Sequence, residues 1–132
     1  MPYDIAFDGK LIRVAMLGLV TKEELFTFIA ALAALEETLE PVPDRIVDLT
    51  RVVDRQADFD AVFAIGGVRE RKAFPNSFRS AFVAPSPMSY GFARMFQTLN
   101  TNPQIDLQIF RTLAEAESWL AAPRGQGTSD GS

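Results

Sequence analysis

The chain has no cysteine and no histidine. Their absence removes disulfides, thiolate nucleophiles, metal centres built on either residue and every histidine-based acid–base pair. Carboxylates, lysine, tyrosine and hydroxyls are left, and no convergent catalytic pair stands out among them. Basic charge is also short: 13 Lys and Arg against 17 Asp and Glu give a net charge of −4. No global positive field is therefore available to attract nucleic acid. No apolar run approaches the roughly 20 residues that span a bilayer, which argues against an integral membrane segment. Met1-Pro2-Tyr3-Asp4 lacks the basic and apolar regions of a signal peptide, so a cytoplasmic location is the expectation.

The 132 residues, 48% of them hydrophobic and 23% charged, suit one soluble domain with a single core. Residues 3–8 and 10–17 read as strands joined at Asp8-Gly9, a hairpin signal, with Gly18 ending the second. Thr21 and Glu24 form a capping box for a helix over 22–39, whose apolar face carries Leu25, Phe28, Ile29, Leu32, Leu35 and Leu39. Pro41 and Pro43 stop it. A strand over 45–49, a polar loop and a second helix from about Ala57 or Asp58 to Lys72 come next. Residues 78–84 read as a strand, followed by Ser86 as N-cap, Pro87 in the first helical position and a helix over 88–100. Residues 105–110 alternate Ile105, Leu107 and Ile109 with Asp106 and Gln108, the pattern of a half-exposed strand near a sheet edge. Thr112 and Glu115 make a second capping box for a short helix ending at Leu120-Ala121.

This order predicts an α/β domain over 1–122: a mostly parallel sheet of about five strands, an N-terminal antiparallel hairpin and about four helices. The tail at 123–132 offers no apolar side chain to bury beyond Pro123 and is expected to be disordered.

The most informative stretch is Ile46-Val47-Asp48-Leu49-Thr50 and the polar run after it. In open α/β sheets, partners and ligands meet the protein at such strand-to-helix corners. Asp48, Thr50, Asp54, Arg55 and Asp58 are therefore the candidate partner-binding residues. As metal ligands, Asp48, Asp54 and Asp58 lack the glycine-turn spacing of a calcium loop, and Asp58 is a natural N-cap; no metal and no cofactor is expected.

The chain resembles the SpoIIAA-like branch of the STAS domains. The resemblance is carried by Gly18-Leu19-Val20-Thr21-Lys22-Glu23-Glu24-Leu25, Val47-Asp48-Leu49-Thr50, Tyr90-Gly91-Phe92-Ala93-Arg94-Met95-Phe96, Ile109-Phe110-Arg111 and Glu115-Ala116-Glu117-Ser118-Trp119-Leu120. It covers residues 3 to 121 and implies a STAS-like sandwich serving as a non-catalytic regulatory module with a protein partner. Some relatives are anti-sigma-factor antagonists switched by phosphorylation where the second helix starts. Here the Asp-Ser-Ser-Gly expected after the strand is missing, and Asp54-Arg55-Gln56-Ala57 offers no hydroxyl. Thr50 belongs to the strand end, so the phosphoswitch does not carry over.

The likeness of this branch to lipid-carrying CRAL–TRIO folds supplies the alternative: a carrier or sensor of an apolar ligand such as a fatty acid, peripheral to a membrane. Eleven phenylalanines provide material for an apolar pocket or simply for a core. Phe59, Phe63 and Phe92, with Ser86, Tyr90 and Arg94 toward a head group, are the candidate ligand residues. Tyr90 and Arg94 are four apart on one helix face near the Ser86 helix start, where backbone N–H groups favour anions; the plainer reading is a surface tyrosine and a solvated arginine. Ser86 is a cap before it is a nucleophile. Arg69, Arg71, Lys72 and Arg79 read first as a solvated helix end and second as a contact for anionic lipid. Phe26, Ala61 and Ile65 lie off the main apolar stripes, which would suit a partner or homodimer contact.

Overall fold

A computed structural model describes residues 3–55, 73–100 and 102–123. Its elements are β1 (Tyr3–Phe7), β2 (Ile12–Val20), α1 (Lys22–Glu37), β3 (Arg45–Arg55), β4 (Phe78–Val83), α2 (Pro87–Leu99), β5 (Ile105–Phe110) and α3 (Leu113–Ala121). The strands form one sheet in the order β1-β2-β3-β4-β5. β1 is antiparallel to β2, and every other pairing is parallel. The α/β class, the opening hairpin and the parallel remainder thus match the sequence-based expectation, and β5 is an edge strand as its alternation predicts. Three helices are described; the one expected over 57–72 lies outside the described residues.

Local chemistry accounts for most boundaries. In the β1–β2 turn, one oxygen of Asp8 accepts the Lys10 and Leu11 N–H groups at 2.9 and 2.8 Å. Gly9 supplies the positive φ of 94° that the turn needs. β2 does not end at Gly18: the strand bends there, with φ +66° and a register shift against β3, and continues to Val20. α1 opens on the complete Thr21–Glu24 capping box, and α2 on a Ser86–Ser89 box with Pro87 in its first turn. α3 departs from expectation in one detail. Thr112 Oγ1 caps the Glu115 N–H, but the Glu115 carboxylate reaches back to the Arg111 N–H at 3.3 Å.

Alternation along the strands sorts side chains between two layers. Val14, Met16, Val47, Leu49 and Phe82 face α1 and α2, where Leu25, Phe28, Leu32, Phe92 and Ala93 complete the main core. Fully burying each of the larger members contributes about 1.5–3 kcal/mol. On the other face Ile46, Ala81 and Val83 pack with Ala116, Trp119 and Leu120 beneath α3. A small satellite cluster of Val42, Phe74, Phe78 and Ile105 closes the end where β4 begins.

Candidate functional site

β3 runs six residues beyond its expected end at Leu49, to Arg55, because β2 also continues and offers it a ladder. Opposite β2 it twice inserts an extra residue: Ala15 and Leu17 pair with Asp48 and Arg51, then Gly18 and Leu19 with Val52 and Asp54. Such bulges bend a strand and re-aim its side chains. The first lets Val52 join Val47 and Leu49 in one core, where strict alternation would have sent it to the opposite face. The second turns Val53 outward, leaving it 77% exposed beside the exposed Asp54 and opposite a β2 end where Leu19 is 45% exposed. β4 pairs only with Arg45 to Asp48, so this bulged end projects past it.

The partner-binding candidates are distributed unevenly over this surface. Thr50 and Asp54 are exposed on the projecting strand. Asp48 is half-buried in mid-strand rather than at a strand end, and its carboxylate accepts the Thr50 N–H at 2.8 Å, serving the bulge. Arg55 is the last residue of β3. Asp58 lies outside the described residues, as do Phe59 and Phe63. The corner expected as a polar loop from Thr50 is therefore strand through Arg55. Among the described residues no cluster of three or more acidic side chains is placed to hold a metal ion.

The ligand-binding candidates do not converge. Phe92 is fully buried in the main core, with its ring 5.4 Å from that of Phe96. Tyr90 is 45% exposed on α2, and Arg94 donates to the Gln97 carboxamide one turn on rather than toward the helix start. The Ser86 hydroxyl is committed to its cap, accepting the Ser89 N–H at 3.1 Å. Arg79, read from sequence as part of a basic patch, is 5% exposed under α3. It donates to the carbonyls of Trp119 and Ala122, because the orphan acceptors at a helix end attract a cation.

The interior holds polar groups that sequence reasoning missed. Arg45 and Glu36 form a buried ion pair between the start of β3 and the end of α1. Arg45 Nε also donates to Ser80 Oγ at 3.2 Å, and the guanidinium lies 4.8 Å from the centre of the Phe78 ring. The signal was present: Glu36 follows Leu32 by four residues, placing a carboxylate on the apolar stripe of α1. Beside this pair, between α1, α2 and the sheet, lies a cavity of about 70 Å³. Arg45, Ser80 and Asn100 form its polar lining, while Leu32, Val47 and Phe96 are among its apolar walls.

Two solved structures share this architecture. An uncharacterized protein with a SpoIIAA-like fold from Shewanella loihica PV-4 matches at a TM-score of 0.58 and 17% identity, over 90% of this chain and 94% of that one. An anti-sigma factor antagonist from Mycobacterium paratuberculosis matches at 0.60 and 13% identity, over 91% and 93%. No protein-family model matches the sequence, and the search of curated proteins gave no match. At such identities the likeness defines the fold. This chain has the SpoIIAA-like α/β fold. No helix among the described residues is long and apolar enough to cross a membrane.

Proposed function

We propose that the protein is a non-catalytic regulatory module that binds a protein partner through the projecting end of β3 and the residues flanking it. The observation that carries this reading is the second bulge, which sets an exposed valine, Val53, next to Asp54, the register partner of Leu19. A branched apolar side chain held outward on a bulged strand among polar neighbours has the make-up of a small contact patch. The anti-sigma factor antagonist with the same fold supports the class of partner, a regulatory protein such as an anti-sigma factor. Lacking a hydroxyl at Asp54-Arg55-Gln56-Ala57, the surface would engage its partner without a phosphate switch there.

Interface patches of this kind concentrate their energy in a few residues. Val53→Asp combined with Asp54→Lys is expected to abolish recovery of a specific partner from lysate of the source organism, with folding unchanged by circular dichroism. Undiminished recovery by the folded double variant would defeat the reading.

The lipid-carrier alternative finds no comparable support. Drug-sized ligands occupy pockets of about 300–1,000 Å³, whereas the cavity under α1 and α2 measures about 70 Å³.

A further inference from the structure

We infer that the partly open cavity between α1, α2 and the sheet is a binding site for a small neutral molecule with an apolar body and a single acceptor oxygen, such as a short-chain ketone. The cavity's volume, about 70 Å³, is about half the roughly 150 Å³ of an apolar cavity that takes up benzene, which limits an occupant to a few non-hydrogen atoms. Among the described residues nine of the twelve that line it are apolar, so most of an occupant's surface would meet carbon rather than polar atoms.

The polar end dictates the chemistry of the occupant. Ser80 is 1% exposed, and its Oγ accepts from Arg45 Nε at 3.2 Å. A hydroxyl also has a proton to donate, and that proton has no acceptor among the described residues. A buried donor left unmade is costly, so a carbonyl oxygen entering the cavity would satisfy a bond the fold leaves open. The guanidinium beside it is already paired with Glu36, making this end of the cavity neutral overall. With the Arg45 charge already compensated by Glu36, an anion would gain little net attraction for its lost hydration, which favours an uncharged acceptor.

The test is a methyl-resolved NMR titration of the full chain with butanone, and with xenon as a purely apolar probe. Saturable shifts in the methyls of Leu32, Val47 and Leu107, with millimolar affinity, are expected for butanone. Ser80→Ala should weaken butanone roughly threefold to tenfold, the loss of one neutral hydrogen bond, and leave xenon binding unchanged. Leu107→Phe, on edge strand β5, should fill the space and abolish both. Absence of saturable butanone shifts in the wild-type protein would overturn the site, whatever the variants do. Equal losses of butanone and xenon in Ser80→Ala, or no loss of butanone, would overturn the role given to the hydroxyl.

Discussion

Arg79 Nη1 donates to the main-chain carbonyl of Trp119 at 2.6 Å, while its guanidinium carbon stands 5.1 Å from the centre of the Trp119 ring. A second bond reaches the Ala122 carbonyl at 3.0 Å. One buried side chain from the start of β4 thus holds the final turn of α3 by charge-assisted hydrogen bonds and a cation–π contact. Arg79→Ala is expected to lower stability by about 2–4 kcal/mol in urea unfolding. Arg79→Lys keeps the charge but loses the planar fork and the stacking, and should fall between the two. If the alanine variant lost less than about 0.5 kcal/mol, a typical surface effect, the latch would not be holding the helix.

The Glu36–Arg45 pair calls for a different experiment, because both ends are buried. Removing one partner leaves the other charge in a low-dielectric interior, so Glu36→Leu alone is expected to cost about 3–5 kcal/mol. Adding Arg45→Met removes the stranded cation and should recover most of that loss, since apolar replacements of buried pairs are often neutral or stabilising. A double-mutant cycle by denaturant titration reads the coupling directly. Strictly additive losses would mean that the two charges do not support one another.

These two arginines mark where sequence reading fell short. Periodicity and caps made the architecture legible: Thr21, Ser86 and Thr112 each cap the helix expected after them. The alternation of β5 also placed that strand correctly at an edge. Glu36 sits on the apolar stripe of α1, but nothing in the pattern marks Arg45 or Arg79 as turning inward. Arg79 follows Arg69, Arg71 and Lys72 and reads from the sequence as part of a solvated helix end, yet strand alternation carries it beneath a helix that arrives about forty residues later. Likewise, Thr50 to Asp54 are polar enough to read as loop, and only the extension of β2 to Val20 holds them in the sheet. Tertiary pairing overrode local composition at both places.

The β1–β2 turn gives the fold a defined response to acid. Asp8 is exposed, yet the Leu11 N–H, the Arg13 side chain and the Lys10 N–H draw its carboxyl pKa down from 3.8 to about 2. A lowered folded-state pKa means that the ionised form favours the native state. The contribution is therefore whole above 3.8 and disappears as pH falls through about 2. The stability difference between wild type and Asp8→Asn should be flat above about pH 5 and shrink steadily below pH 4. A difference that stayed constant down to pH 2 would disprove the linkage. An NMR titration of the Asp8 carboxyl carbon reports the pKa independently.

At the opposite edge of the sheet, just before β5, the Gln104 carboxamide acts as a short piece of ladder. Its oxygen accepts the Phe74 N–H at 2.9 Å, and its nitrogen donates to the Phe74 carbonyl at 2.7 Å. This grip sets Phe74 edge-on to Phe78, with ring centroids 5.0 Å apart in the satellite cluster. Gln104→Glu keeps the shape and the acceptor but replaces the donor with a second anionic oxygen facing a carbonyl. At neutral pH it should cost about 1–3 kcal/mol, the penalty for an unsatisfied or opposed polar group. On acidification the neutral acid regains an O–H donor, so the deficit relative to wild type should narrow as pH falls through the carboxyl range. Gln104→Ala loses both bonds and has nothing to titrate, so its deficit should show no such narrowing. Parallel pH profiles for the two variants would mean that Gln104 matters for its bulk, whereas converging glutamate and wild-type curves would establish that donation to the Phe74 carbonyl holds this segment in place.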